Sequence, residues 1–311
     1  LCDRRQRQMC IRDSVISMKE MKKGKVGVIT GGGSGHEPAF VGYLGDGMLD
    51  SVAIGEVFAS PPALAFYDAI VDADQGEGVA VLFGNYAGDN MNVKMAVQMA
   101  EDDDIEVKYV VANDDVASAP KAVKEQRHGI AGGFFMWKVG GARAAKGGSL
   151  DDVIASAQNV VNRTKSICVG LEPCVIPALG HSNFKIEDGT MEFGVGHHGE
   201  AGTKVEKLKS ASEMAQEMAE TILNDFDFEE GKEVAVMLSG LGATPVMELY
   251  VLYDEVEKVL AKAGHKVWKT YIGNYVTSLD MNGASLTIVD LDDEIKELLS
   301  EPAVPIGMKN Y

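Results

Sequence analysis

Cysteine is scarce in this chain. Cys2, Cys10, Cys168 and Cys174 are spread over 311 positions and none forms a C-x-x-C pair. That spacing excludes a zinc ribbon or a thioredoxin-type redox motif, and four cysteines in so long a chain make no disulfide framework. A reducing compartment, the cytoplasm, is the expected location. Positive charge is also in deficit. Lys and Arg total 29 against 47 Asp and Glu, a formal net charge of −18 at pH 7. Nucleic acid and anionic membrane surfaces are both recognised by clustered basic side chains, so neither is an expected partner. No apolar run approaches the roughly 18 residues of a membrane span. The N-terminus is charged and lacks the apolar stretch of a signal peptide.

What is present is globular. Hydrophobic residues make up 46% and charged residues 24%, which excludes a chain too polar to build a core. The length allows one large or two medium domains. Glycine is in excess, 35 of 311 or about 11% against a usual ~7%, so the backbone must turn tightly or approach something closely at many points.

Residues 1–14 read LCDRRQRQMCIRDS, with four Arg in a chain otherwise rich in Lys and acids. The segment resembles translated sequencing-adaptor read-through and is expected to be foreign to the fold. Beyond it, short β-rich runs alternate with helical patterns. Strands are expected at 25–30, 79–83 and 107–111, with glycine-rich or polar loops after the first two, at 31–36 and 84–89. Helices are expected at 63–69, behind Pro61-Pro62, and at 130–146. Met91, Met95 and Met99 recur every four residues and read as the core face of another helix. Ser149 and Asp152 are spaced as a capping box. These elements predict a first α/β domain over 15–165, with a mainly parallel sheet flanked by helices. Strand-like runs at 166–171, 191–196, 233–238, 266–272 and 284–289, with helices at 211–224, 246–263 and 292–299, predict a second, smaller α/β sandwich over 166–311.

Three segments could carry chemistry. The first is Gly31-Gly32-Gly33-Ser34-Gly35-His36. It lacks the Gly-Lys-Ser/Thr of a phosphate loop, and His36 stands where both the dinucleotide fingerprint and the nucleophile elbow need glycine. It reads as a loop offering backbone N–H groups beside an imidazole, or as a plain structural turn. The second runs from Gly84 to Asp89 at the end of an apparent parallel strand, where ligands of α/β sheets bind. Asp89 there is either a helix N-cap or a carboxylate that reaches a ligand. The third is Gly194-Val-Gly-His197-His198-Gly-Glu200. Metal ligation by His197, His198 and Glu200 is the rival reading, but H-E-x-x-H is absent and no metal site is expected. A buried, hydrogen-bonded histidine and a nucleophilic or acid–base histidine both remain open.

Seven blocks in order, GGGSGHEP (31–38), GYLGDGML (42–49), GEVFASP (55–61), NYAGD (85–89), MEFGVGHHGE (191–200), LGATP (241–245) and TSLDM (277–281), resemble the dihydroxyacetone-binding K subunit of dihydroxyacetone kinases. The resemblance runs from about Gly24 to the C-terminus. It implies that His198 attacks the ketone and holds the substrate as a covalent hemiaminal, which selects against polyols that lack a carbonyl. It implies that His36 is a proton acceptor and that Asp89 is the acid–base group for the terminal hydroxyl. Gly33, Ser34 and Gly35 would be substrate contacts, as would position 84. The nucleotide, ADP or ATP with Mg2+, would sit on a separate helical L subunit and not on this chain, which is expected to be half of an active kinase. That partner would be either fed by a phosphotransferase-system phosphocarrier or ATP-exchanging. A homodimer is also implied.

The chain departs from the family pattern. Gly84 replaces a common lysine, His197 an apolar residue and Ala201 a proline, and the native N-terminus is missing or replaced. Four-carbon ketoses such as erythrulose therefore stay open as substrates. So does a non-catalytic relative that binds dihydroxyacetone and signals to a transcription regulator. Retention of His36, Asp89 and His198 favours the kinase subunit.

Overall fold

Short, almost continuously buried apolar runs become the inner strands of two sheets, and amphipathic runs become helices that cover them. The computed structural model describes residues 14–182, 184–227 and 231–307, with residues 7–9 in backbone alone. In chain order the elements are β1 (Arg7–Met9), β2 (Val15–Met18), β3 (Gly27–Ser34), β4 (Gly45–Asp46), β5 (Ser51–Val57), α1 (Ala63–Ala73), β6 (Val79–Gly84), α2 (Ala87–Asp102) and β7 (Val107–Ala112). There follow α3 (Gly133–Ala145), α4 (Leu150–Asn162), β8 (Thr164–Glu172), β9 (Thr190–Phe193), β10 (Lys204–Lys207), α5 (Ala211–Asp225), β11 (Glu233–Gly240) and α6 (Val246–Lys262). The last are β12 (Lys266–Gly273), β13 (Asn282–Asp290), α7 (Asp293–Ser300) and β14 (Val304–Pro305). The segment 1–14, expected to be foreign, lies mostly outside the described residues; from it β1 pairs antiparallel with β2.

Two units emerge, and the fold class is the mixed α/β one expected. The first comprises Leu1–Ala112, Gly133–Asn162 and Asp292–Tyr311, and the second Asn113–Gly132 and Arg163–Leu291. The chain thus passes between units at four points, where a single boundary near 165 was expected. Two segments account for the difference. Asp114 is buried, accepts the N–H groups of Ile130 and Gly132, and offers its carbonyl to the N–H of Ser166, which ties 113–132 to β8. Helix α7 buries Ile295, Leu298 and Leu299. Arg143 pairs with Glu294, and β14 pairs with β4, which ties the C-terminal segment to the first unit.

The first unit holds a six-stranded sheet in the order β1-β2-β5-β3-β6-β7. Pairings β3–β5, β3–β6 and β6–β7 are parallel, and β2–β5 is antiparallel. Ile29, Val79, Val81 and Phe83 share a core with Phe66 and Ile70 of α1 and with Val93, Ala96 and Val97 of α2. The alternate residues face the other way. There the Trp137 indole N–H of α3 donates to the Leu82 carbonyl at 3.0 Å. Both faces are therefore covered, as a parallel sheet requires. The methionine stripe is a correction. Met91 and Met95 are 61% and 51% exposed, and the buried face of α2 is Val93, Ala96, Val97 and Ala100. Met91 is two residues from Val93, about 200° around the helix, so the two periodic sets point in opposite directions. The Ser149–Asp152 capping box closes as expected: each residue accepts the other's backbone N–H.

The second unit's sheet runs β10-β9-β8-β13-β11-β12, and only its β11–β12 pairing is parallel. Helices α5 and α6 cover one face, burying Met218, Ile222, Leu249 and Val256 against Val169, Val236 and Leu286. Helix α5 opens with a complete capping box between Ser210 and Glu213. At its other end Asp225 grips the buried guanidinium of Arg127 in two bonds of 2.7 and 2.8 Å, while Arg127 Nε donates to the Ala119 carbonyl at 2.8 Å. Burial alone would raise the Asp225 carboxyl, but the hydrogen bonds and charge of Arg127 outweigh it and hold it below its usual range.

Removing one member of this pair strands the other. Asp225→Asn is expected to lower unfolding free energy by about 3 kcal/mol at pH 7, read as a lower urea midpoint. A carboxyl with a depressed pKa contributes stability above its unfolded value of ~3.9 and loses it as pH falls through the folded one. The difference between wild type and variant is therefore expected to shrink below about pH 4.

Candidate functional site

Parallel strands deliver their following loops to one edge of a sheet. In the first unit β5, β3 and β6 lie side by side and parallel, so Ser60, the 33–36 segment and the 84–89 segment all emerge at the carboxyl edge, where ligands of α/β sheets bind. The glycine run is not the loop expected. Strand β3 continues through it, pairing Gly31 with Ala53, Gly32 with Ile54 and Gly33 with Gly55. The loop starts only at Gly35. Glycine is needed inside the strand because a Cβ on Gly32 would lie 2.2 Å from the Phe40 ring. Ser34 spends its hydroxyl on the Gly55 carbonyl at 2.8 Å.

His36 follows in a wall of aromatic rings. It is buried, stacked on Phe58 with ring centroids 5.3 Å apart and edge-on to Phe40 at 6.1 Å. These rings hold the imidazole plane in one orientation. Strand β6 ends at Gly84, which carries no side chain to this edge. Helix α2 opens earlier than expected, at Ala87 with Tyr86 as N-cap, so Asp89 sits in the first turn and is not the cap. Its Oδ1 accepts the Ser60 hydroxyl at 3.0 Å. Asn92 in turn donates to Ser60 Oγ at 3.2 Å and to the Pro61 carbonyl at 2.8 Å. The carboxylate at the N-terminal end of a helix is thus fixed by a hydroxyl from the neighbouring loop.

The histidine pair belongs to the second unit. Strand β9 ends at Phe193, and Gly194, at φ 78°, turns the chain out of it. Residues 196–200 close on themselves: the Gly196 N–H donates to the Glu200 carbonyl at 2.9 Å and the Gly199 N–H to the Gly196 carbonyl at 3.1 Å. The two histidines separate sharply. His197 is 3% exposed, and its carbonyl accepts the Ser278 hydroxyl. The His198 side chain is 24% exposed. Glu200 folds back on His198 with both oxygens: Oε2 accepts its backbone N–H at 2.8 Å and Oε1 pairs with ring Nδ1 at 2.9 Å. Burial pushes the Glu200 carboxyl up, but the His198 hydrogen bonds and charge more than reverse this and bring it down to about 2. In the same unit Asp115 is buried, and burial together with the charges of Asp114 and Glu200 raises its carboxyl to about 7 against the Ala117 N–H it accepts.

Sequence reasoning had singled out Glu200 only as a metal ligand. Among the described residues no group of three or more His, Cys, Asp or Glu is arranged to hold a metal ion. It missed the hold of Glu200 on His198, the Ser60–Asp89 bond and the aromatic wall of His36. Among the described residues no helix is long and apolar enough to cross a membrane.

The Dak1 domain family model matches residues 3–306. The PTS-dependent dihydroxyacetone kinase 1, dihydroxyacetone-binding subunit DhaK, of Listeria innocua is 42% identical over 280 residues, 90% of this chain and 85% of that protein. The D-erythrulose kinase of Mycolicibacterium smegmatis is 38% identical over 289 residues, 93% of this chain and 50% of that protein. The solved structure of the dihydroxyacetone kinase operon co-activator Dha-DhaQ superposes with a TM-score of 0.91 at 30% identity, covering 96% of this chain and 92% of the other. With the ordered blocks from Gly31 to Met281 and a match spanning nearly every described element, this chain belongs to the Dak1 domain family.

Proposed function

We propose that this chain is the ketose-binding subunit of a dihydroxyacetone kinase, a phosphotransferase acting on an alcohol group. The observation that carries the reading is the contrast within one loop: His197 is buried, while the next imidazole, His198, is exposed enough to meet a small ketone. An imidazole in its neutral form is a nucleophile. It would attack the ketone carbon and hold the substrate as a hemiaminal, which selects ketoses over polyols. Asp89, anchored by Ser60, would orient the terminal hydroxyl and take its proton during transfer, with His36 accepting a proton or a substrate hydrogen bond. The segment Gly33, Ser34 and Gly35, and the backbone at Gly84, would contact the substrate.

The phosphoryl donor would come from a separate L subunit that carries ADP or ATP with Mg2+. The PTS-dependent name of the Listeria relative favours a phosphocarrier-fed partner. A homodimer fits the same reading. A second substrate reading rests on Gly84. With no side chain there, a four-carbon ketose gains room, and the 38% identity to a D-erythrulose kinase supports testing it. The co-activator reading is disfavoured because signalling needs no acid–base pair, yet this chain keeps both His36 and Asp89.

Two variants test the roles. With dihydroxyacetone labelled with carbon-13 at the ketone, wild type is expected to move the carbon resonance from the carbonyl to the tetrahedral region, and His198→Ala to leave it unmoved. An unmoved signal with wild type would sink covalent capture. In a coupled assay with the L subunit, Asp89→Asn is expected to keep the adduct while kcat falls roughly 10²- to 10⁴-fold. Full turnover in that variant would remove Asp89 from the chemistry. A panel with erythrulose beside dihydroxyacetone, compared by kcat/KM, decides between the three- and four-carbon substrates.

A further inference from the structure

The bonds within the 196–200 turn go further than binding. We infer that Glu200 is a positioning residue that keeps the proton of the His198 ring on Nδ1 and so makes Nε2 the attacking nitrogen; this rests on the ketose-capture reading above.

The geometry is specific. An ionised carboxylate accepts hydrogen bonds at both oxygens and donates none. One oxygen of Glu200 accepts the His198 backbone N–H, and the other faces Nδ1 at 2.9 Å. Nδ1 can face an ionised carboxylate at that distance only as a donor. A neutral ring protonated at Nδ1 carries its in-plane lone pair on Nε2. Gly196 supplies the independent support. A Cβ there would lie 2.2 Å from Glu200 Oε2 and 2.8 Å from the carboxyl carbon, so the turn admits the carboxylate only because position 196 has no side chain. The depressed carboxyl of Glu200 agrees with a group that stays charged beside the ring.

The consequence for the reaction follows from charge. As Nε2 bonds to the ketone carbon, the C=O π pair moves to oxygen and the ring becomes an imidazolium. Glu200 faces that new charge on Nδ1–H. The alkoxide takes a proton from water, whose hydroxide passes to solvent, and the product is a hemiaminal whose imidazolium keeps its Nδ1–H on the ionised Glu200. Charge-assisted hydrogen bonds of this kind are about twice as strong as neutral ones.

The test reads the tautomer directly. Two-bond proton–nitrogen spectra of the nitrogen-15-labelled full chain are expected to show the His198 proton on Nδ1. A wild-type ring protonated on Nε2 overturns the proposal. Glu200→Gln offers one acceptor oxygen to two donors, so the ring is expected to move toward the Nε2–H form and the dihydroxyacetone adduct to weaken on the order of 10- to 100-fold. Gly196→Ala, which displaces the carboxylate without removing it, is expected to do the same in a folded chain. A Glu200→Gln protein with wild-type tautomer and adduct affinity overturns the proposal. Nδ1–H in a wild type that forms no adduct would overturn the capture reading while upholding the hold of Glu200 on the ring.

Discussion

One carboxylate organises the 196–200 turn. Glu200 reaches back two residues to hold both the backbone and the ring of His198, and it fits only against a glycine. The surrounding bonds keep that turn still. Ser278 holds the His197 carbonyl, and Glu192 accepts the Gly202 N–H at 2.6 Å, so one flank is tied to the segment between β12 and β13 and the other to β9. The covalent capture proposed for His198 would need this kind of support. The rotational freedom of an imidazole on a loose loop would otherwise be lost at the moment of reaction.

The first unit solves a related problem with glycine. Its central strand β3 has to bring the backbone to the sheet edge while Phe40 and Phe66 press on it, and only residues without a Cβ tolerate both. Intrinsic preference opposes glycine in a strand. Here the packing of two rings and the parallel ladder with β5 override it. The payoff is placement: His36 leaves the strand directly into an aromatic wall, and Asp89 leaves β6 into the first turn of α2.

Much of this was legible in the chain, for local reasons. Ser149–Asp152 and Ser210–Glu213 announce helix starts because a cap is a three-residue affair. His36, Asp89 and His198 stand in motifs that point to chemistry before any geometry is known. What stayed hidden depends on partners distant in sequence. Gly31 to Ser34 read as loop because nothing nearby reveals the Phe40 and Phe66 rings or the β5 ladder. The segment 113–132 joins the second unit through the Ser166–Asp114 bond, which no periodicity encodes. Residues 292–307 join the first through α7 and β14 in the same way. The roles of His197 and His198 could be told apart from sequence only by family resemblance, since two adjacent imidazoles carry no burial signal of their own.

The outward turn of Met91 and Met95 has a chemical outcome of its own. Thioethers in water oxidise to sulfoxides, whereas those sealed in a core, such as Met218 and Met237, are shielded. Because Val93, Ala96, Val97 and Ala100 carry the packing of α2, sulfoxidation at its outer face adds polarity without opening a cavity. An aerobically aged preparation would accumulate oxygen at such outward thioethers, Met247 of α6 among them, while its interior stayed unmodified.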